Sequence, residues 1–192
     1  MLSIRSKWNQ RYAQAHVPNQ VIDVLQDNVH LLSGKGASLD LACGLGGNAF
    51  RLAELGYDSH AWDVSDTAIE KVKEFAAERQ LAIHTRRCEL VEGLLEKNSF
   101  DVIIVSRFLS RPMIPEIIQA LKPNGLIFYQ SFIQEQLDSS TGPKNNDYRL
   151  SSNELLELFS RLTLRFYREE GTIGDINRGF RNEAMLVAQK TV

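Results

Sequence analysis

The sequence predicts an α/β fold in which a mostly parallel, doubly wound sheet ends in an antiparallel hairpin. Three observations carry that reading. The hydrophobic pattern alternates between short strand-like runs and stretches of helical period, which is how consecutive β-α units read. Phe100 to Ser106 is an apolar run of the kind a strand shows when both its faces are covered. The last two strand-like segments, Thr163 to Glu169 and Glu183 to Gln189, have no helix between them, so they pair as a hairpin that adds one antiparallel strand.

Each element has a local reason. Val21, Val24, Leu25, Val29 and Leu32 share one helical face, and Gly34 and Gly36 end that helix. Ala37 to Ala42 is a short buried strand, Asn48 to Leu55 a helix stopped by Gly56, and Tyr57 to Asp63 a second strand. Ser65 is placed to cap the next helix, in which Ile69, Val72, Phe75 and Ala76 share a face. Ala82 to Arg87 is a third strand, and Ile114 to Leu121 is helical. Pro123-Asn124-Gly125 predicts a turn into a strand over Leu126 to Phe132. Ser151 and Glu154 have capping-box spacing at the start of a helix over Asn153 to Arg161. The polar stretch 136–148 is either disordered or a working loop beside a ligand.

Composition narrows the function classes. The 192 residues fit one domain, 1–192, with a full core. A net charge of −2 argues against a phosphate backbone as main partner, so no nucleic acid is expected. Two cysteines, Cys43 and Cys88, are too few for a disulfide scaffold, and no apolar run is long enough to span a membrane. A soluble, cytoplasmic protein is the expectation.

The chemistry concentrates in Leu39-Asp40-Leu41-Ala42-Cys43-Gly44-Leu45-Gly46-Gly47-Asn48-Ala49, a strand that ends in a glycine turn and opens a helix. Glycines there let the backbone bend and let a ligand approach closely. Asp63 closes the following strand, where a carboxylate can accept hydrogen bonds from both hydroxyls of a ribose. A nicotinamide dinucleotide formally suits Gly44, Gly46 and Ala49. However, Asp40, aimed into the same turn, would repel its pyrophosphate and favours a ligand with an ammonium group.

The run from Asp40 to Gly46 resembles motif I of the class I S-adenosylmethionine-dependent methyltransferases, with Ala42 in the first glycine position. Trp8-Asn9-Gln10-Arg11-Tyr12 resembles the N-terminal motif of the tellurite-resistance and thiopurine-type branch. Leu55-Gly56-Tyr57-Asp58 and Ala61-Trp62-Asp63 are similar to the tellurite-resistance enzymes in particular. Phe100 to Val105 and Leu121-Lys122-Pro123-Asn124-Gly125 match the family's fourth strand and the turn into its fifth. The resemblance implies a Rossmann-like three-layer sandwich with seven strands. It also implies methyl transfer from S-adenosyl-L-methionine to a small-molecule acceptor, a soft or anionic one such as tellurite, selenite, a thiol or a carboxylate-like group.

Carried over by position, the resemblance assigns cofactor binding to Asp40, Ala42, Gly44, Gly46, Asn48, Asp63, Val64, Glu89, Leu90 and Ser106. Asp40 and the turn would hold the methionine part, with Gly46 keeping that space open. Asp63 would take the ribose and Val64 the adenine; the contact near the adenine amino group falls on Glu89-Leu90 or on Cys88. Ser106 and Arg107 are the candidate catalytic residues, and Arg107 and Arg111 would aim two guanidiniums at an anionic acceptor, unless one pairs with Asp101 or Glu116. Residues 1–20, with Trp8 and Tyr12 on one helical face, form a candidate lid, and 136–148 an acceptor-side loop.

His16, His30, His60 and His84 have no i, i+4 pair, so no metal site is expected, and neither cysteine has an evident base partner. Two other classes remain: a nicotinamide-dependent oxidoreductase, which lacks a Tyr-x-x-x-Lys pair here, and a non-catalytic S-adenosylmethionine-binding module.

Overall fold

The computed structural model describes residues 3–138 and 140–191, so the first two residues of the lid segment and Ser139 of the loop lie outside the described residues. The strands are β1 (Ala37–Leu41), β2 (Asp58–Asp63), β3 (Ile83–Arg87), β4 (Phe100–Ser106), β5 (Leu121–Phe132), β6 (Thr163–Arg168) and β7 (Glu183–Gln189). The helices are α1 (Ile4–Tyr12), α2 (Asp23–Asp27), α3 (Gly47–Glu54), α4 (Asp66–Arg79), α5 (Ile114–Ala120) and α6 (Glu154–Leu158). All seven strands form one sheet in the order β3-β2-β1-β4-β5-β7-β6. Pairing is parallel from β3 to β5, and β7 runs antiparallel to both β5 and β6.

Alternation of side chains sorts the core into layers. Leu39, Leu41, Ile103, Val105, Ile127 and Tyr129 face one way and pack with Ile114 and Ile117 of α5 and Leu155 of α6. Val102, Ile104, Phe128, Met185 and Val187 face the other way, against Val24 and Leu25 of α2 and Leu52 of α3. On that same side Ala49 and Phe50 of α3 meet Ile69, Val72 and Phe75 of α4. This is the expected sandwich. The order reverses at β1 and β4, and in open α/β sheets the crevice beyond the strand C-termini at such a point is where ligands bind.

Several elements differ from expectation. The helix expected over 21–32 breaks into α2 and a 3-10 turn at Val29–Leu31, because Asn28 folds its Nδ2 back to Val24 O instead of continuing the helix. Pro123-Asn124-Gly125 does not separate two elements. β5 already begins at Leu121, and the three residues form an irregularity within it, with Asn124 at φ 67° and its N–H bonded to Lys190 O. α6 is shorter than expected and its capping box is only half made. Glu154 accepts from Ser151 N, but the Ser151 hydroxyl donates to that same carboxylate, and Asn153 in the left-handed region is the N-cap. The 136–148 loop is held in place: Arg149, 1% exposed, donates to the carbonyls of Ile133, Thr141 and Pro143. Among the described residues no helix is long and apolar enough to cross a membrane.

Candidate functional site at the strand C-termini

Asp40 lies near the C-terminal end of β1, just before the glycine turn. It is fully buried; its Oδ1 accepts from Asn48 Nδ2 at 3.3 Å and its Oδ2 from Ala49 N at 3.2 Å. Both donors are neutral, and among the described residues no lysine or arginine pairs with this carboxylate. Burial therefore outweighs the two hydrogen bonds and pushes the Asp40 pKa up to about 7.

The turn after β1 requires unusual backbone. Ala42 (φ 58°), Gly44 (φ 53°) and Gly46 (φ 77°) are all left-handed. At Ala42 the family's glycine would be strain-free, so alanine there is held by its surroundings. A Cβ on Gly44 would lie 2.8 Å from both Tyr12 Oη and Asn19 Nδ2, so its missing side chain lets these two side chains of the N-terminal segment close onto the turn. Gly46 plays a different part from the one expected. Its Cβ would meet Val72 and Phe50 at 3.0–3.2 Å, so this glycine lets α3 and α4 pack closely and does not clear space for a methionine moiety.

Asp63 ends β2 beside that turn, 5% exposed. Its Oδ2 accepts from Gly44 N at 2.9 Å and its Oδ1 from Ser65 N at 2.8 Å. The carboxylate thus ties the glycine turn to the start of α4. Each oxygen retains a further lone pair for a hydroxyl donor. Burial raises its pKa, opposed by these backbone N–H groups. Val64 is half-buried next to it. Glu89 is exposed, Leu90 packs on the core, and the buried Cys88 donates its N–H to Asp63 O, so of the three adenine-side candidates Cys88 stands nearest the ribose-side acid. Burial pushes both thiols above their usual range, and Cys43 is fully enclosed, which makes neither a nucleophile.

A second row of polar groups crosses the sheet from Asp40 toward the hairpin. Asn48 Nδ2 also approaches Ser106 Oγ at 3.4 Å, and Ser106 is the register partner of Gln130 on β5. Gln130 is wholly buried: its Oε1 accepts from Val24 N, and its Nε2 donates to Glu183 and Asp23. Glu183 in turn accepts from Arg107 Nε at 2.7 Å. The sequence reading missed Gln130, Glu183, Asp23 and Asn19. The available signal was a glutamine interrupting an apolar strand at its crevice end.

The two arginines part company. Arg107 leaves β4 at φ 52°, 58% exposed at its side chain, and its two Nη groups make no hydrogen bond among the described residues. Arg111 does not face an acceptor. It makes a two-bond pair with Glu154 and donates to the carbonyls of Asp147 and Arg149, closing the 136–148 loop onto α6. The partners suggested by sequence are engaged elsewhere: Asp101 with Lys122 and Ala37 N, Glu116 with the N–H groups of Gly93 and Leu95.

α1 lies against the start of α4, with Tyr12 reaching the glycine turn. Trp8 and Tyr12 stack at 5.7 Å between centroids. Asn9 accepts from Ser65 Oγ at 2.6 Å and Arg5 pairs with Asp66, which docks α1 on the first turn of α4. Burial and the nearby Asp63 charge hold the Tyr12 phenol protonated.

A doubly wound sheet of this order, with a buried acid before a glycine turn and a second acid closing the next strand, agrees with the resemblance of the run from Asp40 to Gly46 to the class I S-adenosylmethionine-dependent methyltransferases. Residues 4–184 match the family described as tellurite resistance protein TehB, and the chain belongs to that family. A probable S-adenosyl-L-methionine-dependent methyltransferase TehB of Haemophilus influenzae is 28% identical over 145 residues, covering 73% of this chain and 50% of that protein. The chain thus spans about half the length of the relatives it matches. The crystal structure of TehB from Haemophilus influenzae superposes with a TM-score of 0.73 at 21% identity, over 97% of this chain and 67% of that one. A structure described by the conversion of a disulfide bond into a thioacetal group during echinomycin biosynthesis gives 0.73 at 19% identity, over 98% and 93%.

Proposed function

We propose that this protein transfers the methyl group of S-adenosyl-L-methionine to a small soft or anionic acceptor, of which tellurite, selenite and small thiols are the chemical types to test. The observation that carries the reading is Asp40. A fully buried carboxylate with only neutral partners is electrostatically unfinished, and a ligand ammonium completes it. The same charge argues against a nicotinamide dinucleotide, whose pyrophosphate it would repel.

The residues present fit this cofactor. Asp40 and the turn from Ala42 to Gly44 would hold the methionine end, Asp63 the ribose hydroxyls through its unused lone pairs, and Val64 with Cys88 and Leu90 the adenine side. Asn48 orients Asp40 and reaches Ser106, so the acid and the end of β4 are held in one hydrogen-bonded unit. When bound, the cofactor supplies an electrophilic methyl group on a sulfonium whose leaving group is a neutral thioether. The chain's own contribution is then alignment and exclusion of water. Tyr12 and Asn19 lie against the turn, and the two Nη groups of Arg107, without a hydrogen bond among the described residues, would be donors for an oxyanion.

The test is methyl-labelled S-adenosylmethionine incubated with the full chain and tellurite, selenite or a small thiol. Label in a methylated product from at least one acceptor supports the reading. Binding of S-adenosylhomocysteine without transfer to any of them would favour a non-catalytic module.

A further inference from the structure

Three side chains able to ligate a metal meet at the opposite end of β2, on the face turned away from α3 and α4. Asp58 and His60 are two residues apart on one strand, so they project from the same face. His84 on β3 is the register partner of His60. Strand geometry alone therefore gathers them, although they are dispersed in the sequence. His84 Nε2 lies 2.9 Å from Asp58 Oδ1 and His60 Nε2 3.6 Å from Asp58 Oδ2, and one ligand atom from each falls within 4.8 Å of the others. The two imidazoles stack with centroids 4.8 Å apart, and the edge of Phe100 fixes the His60 ring at 5.5 Å. Asp58 and His84 are exposed and His60 half-buried.

We propose that Asp58, His60 and His84 bind a divalent transition ion of borderline softness, Zn2+ being the probe of choice, with a fourth position open to water. Two imidazole nitrogens and one carboxylate oxygen are the donor set such ions take, whereas Mg2+ or Ca2+ would want more oxygen ligands. Bond lengths of about 2.0–2.1 Å place tetrahedral ligand atoms roughly 3.3 Å apart. The observed 2.9 and 3.6 Å bracket that spacing, so small rotations of side chains near the surface would close the site.

β3 is an edge strand whose one sheet partner is β2, and an ion here would staple the two together. His60 precedes Asp63 by three residues, about 10 Å along a strand, and it points to the other face. The ion is thus structural and separate from the methyl-transfer crevice.

Calorimetric titration of the full chain with Zn2+, beside His60→Gln, His84→Gln and Asp58→Asn, tests the site. One saturable ion per chain is expected, with affinity at least tenfold lower in each histidine variant, and a Zn2+-dependent rise in thermal midpoint that those variants lose. His84→Gln changes an exposed residue, so it keeps the comparison readable if His60→Gln folds poorly. Absence of saturable binding, or binding in His84→Gln within twofold of the parent chain, would overturn the assignment.

Discussion

The two halves of the crevice treat charge in opposite ways. Beneath the glycine turn, Asp40 and Asp63 are buried carboxylates whose hydrogen bonds come only from amide groups. Toward the hairpin, Arg107, Arg111 and Arg149 are each committed, to Glu183, to Glu154 with two carbonyls, and to three carbonyls. Anions without cations are costly to bury and invite a cationic ligand; cations bonded to the chain itself are structural ties. The glycine-turn side is electrostatically open and the hairpin side closed, with Arg107 alone of these three leaving both Nη groups without a hydrogen bond among the described residues.

The largest expected effect lies on the closed side. Arg149→Met would strand three carbonyls that the guanidinium now satisfies. Denaturant unfolding should show a loss of about 3–5 kcal/mol, on the scale of charge-assisted hydrogen bonds of about 1.5–3 kcal/mol each that do not add fully. A loss below about 1 kcal/mol would mean the loop needs no such tie. On the open side, Asp40→Asn should weaken S-adenosylhomocysteine about tenfold to a hundredfold by calorimetry. The same variant should be no less stable than the parent at pH 8, because an ionised Asp40 is a liability to the empty fold. As pH falls below that raised pKa, near 7, the native carboxyl takes up a proton and the liability shrinks, vanishing only near the ordinary carboxylate value of about 4.

Arg107→Ala tests the arginine of these three whose two Nη groups make no hydrogen bond among the described residues. Its kcat/KM for an anionic acceptor should fall about tenfold while cofactor affinity stays within about twofold. Equal activity would return Arg107 to the structural group. The smallest effect belongs to the docking of α1. The Arg5 guanidinium holds the Asp66 carboxyl below the usual range, so its contribution is complete above about pH 4 and is lost as pH falls through the depressed value. Proteolysis between Arg5 and Arg11 should accelerate only in that acid window, and Asp66→Asn should show the faster cleavage at neutral pH.

What was legible in the sequence depended on the range of the cause. The glycine turn and the places of Asp40 and Asp63 at the ends of β1 and β2 were legible because strand, turn and helix follow one another directly in the chain. Ser65 capping α4 is equally local. Arg111 was misread because its partners, Glu154 and the carbonyls of Asp147 and Arg149, come from another part of the chain. Gly46 was misread because its role depends on Val72, in a helix that packs against the turn. The meeting of His60 and His84 depends on the register of β2 with β3, which no local pattern specifies. The irregularity at Pro123-Asn124-Gly125 lies between: Asn124 takes the positive φ of a turn residue, but pairing of Phe100 with Leu121 begins the strand before it.

The central claim is that Asp40 is the unfinished charge which a cationic cofactor completes. Calorimetric affinity for S-adenosylhomocysteine measured from pH 6 to pH 8 tests it most directly. Because the ligand needs the ionised acid, affinity should rise with pH up to about 7, with a slope approaching tenfold per pH unit, then level off, and Asp40→Asn should show no such rise. A pH-independent affinity in the parent chain, or tighter binding of NAD than of S-adenosylhomocysteine, would contradict the account.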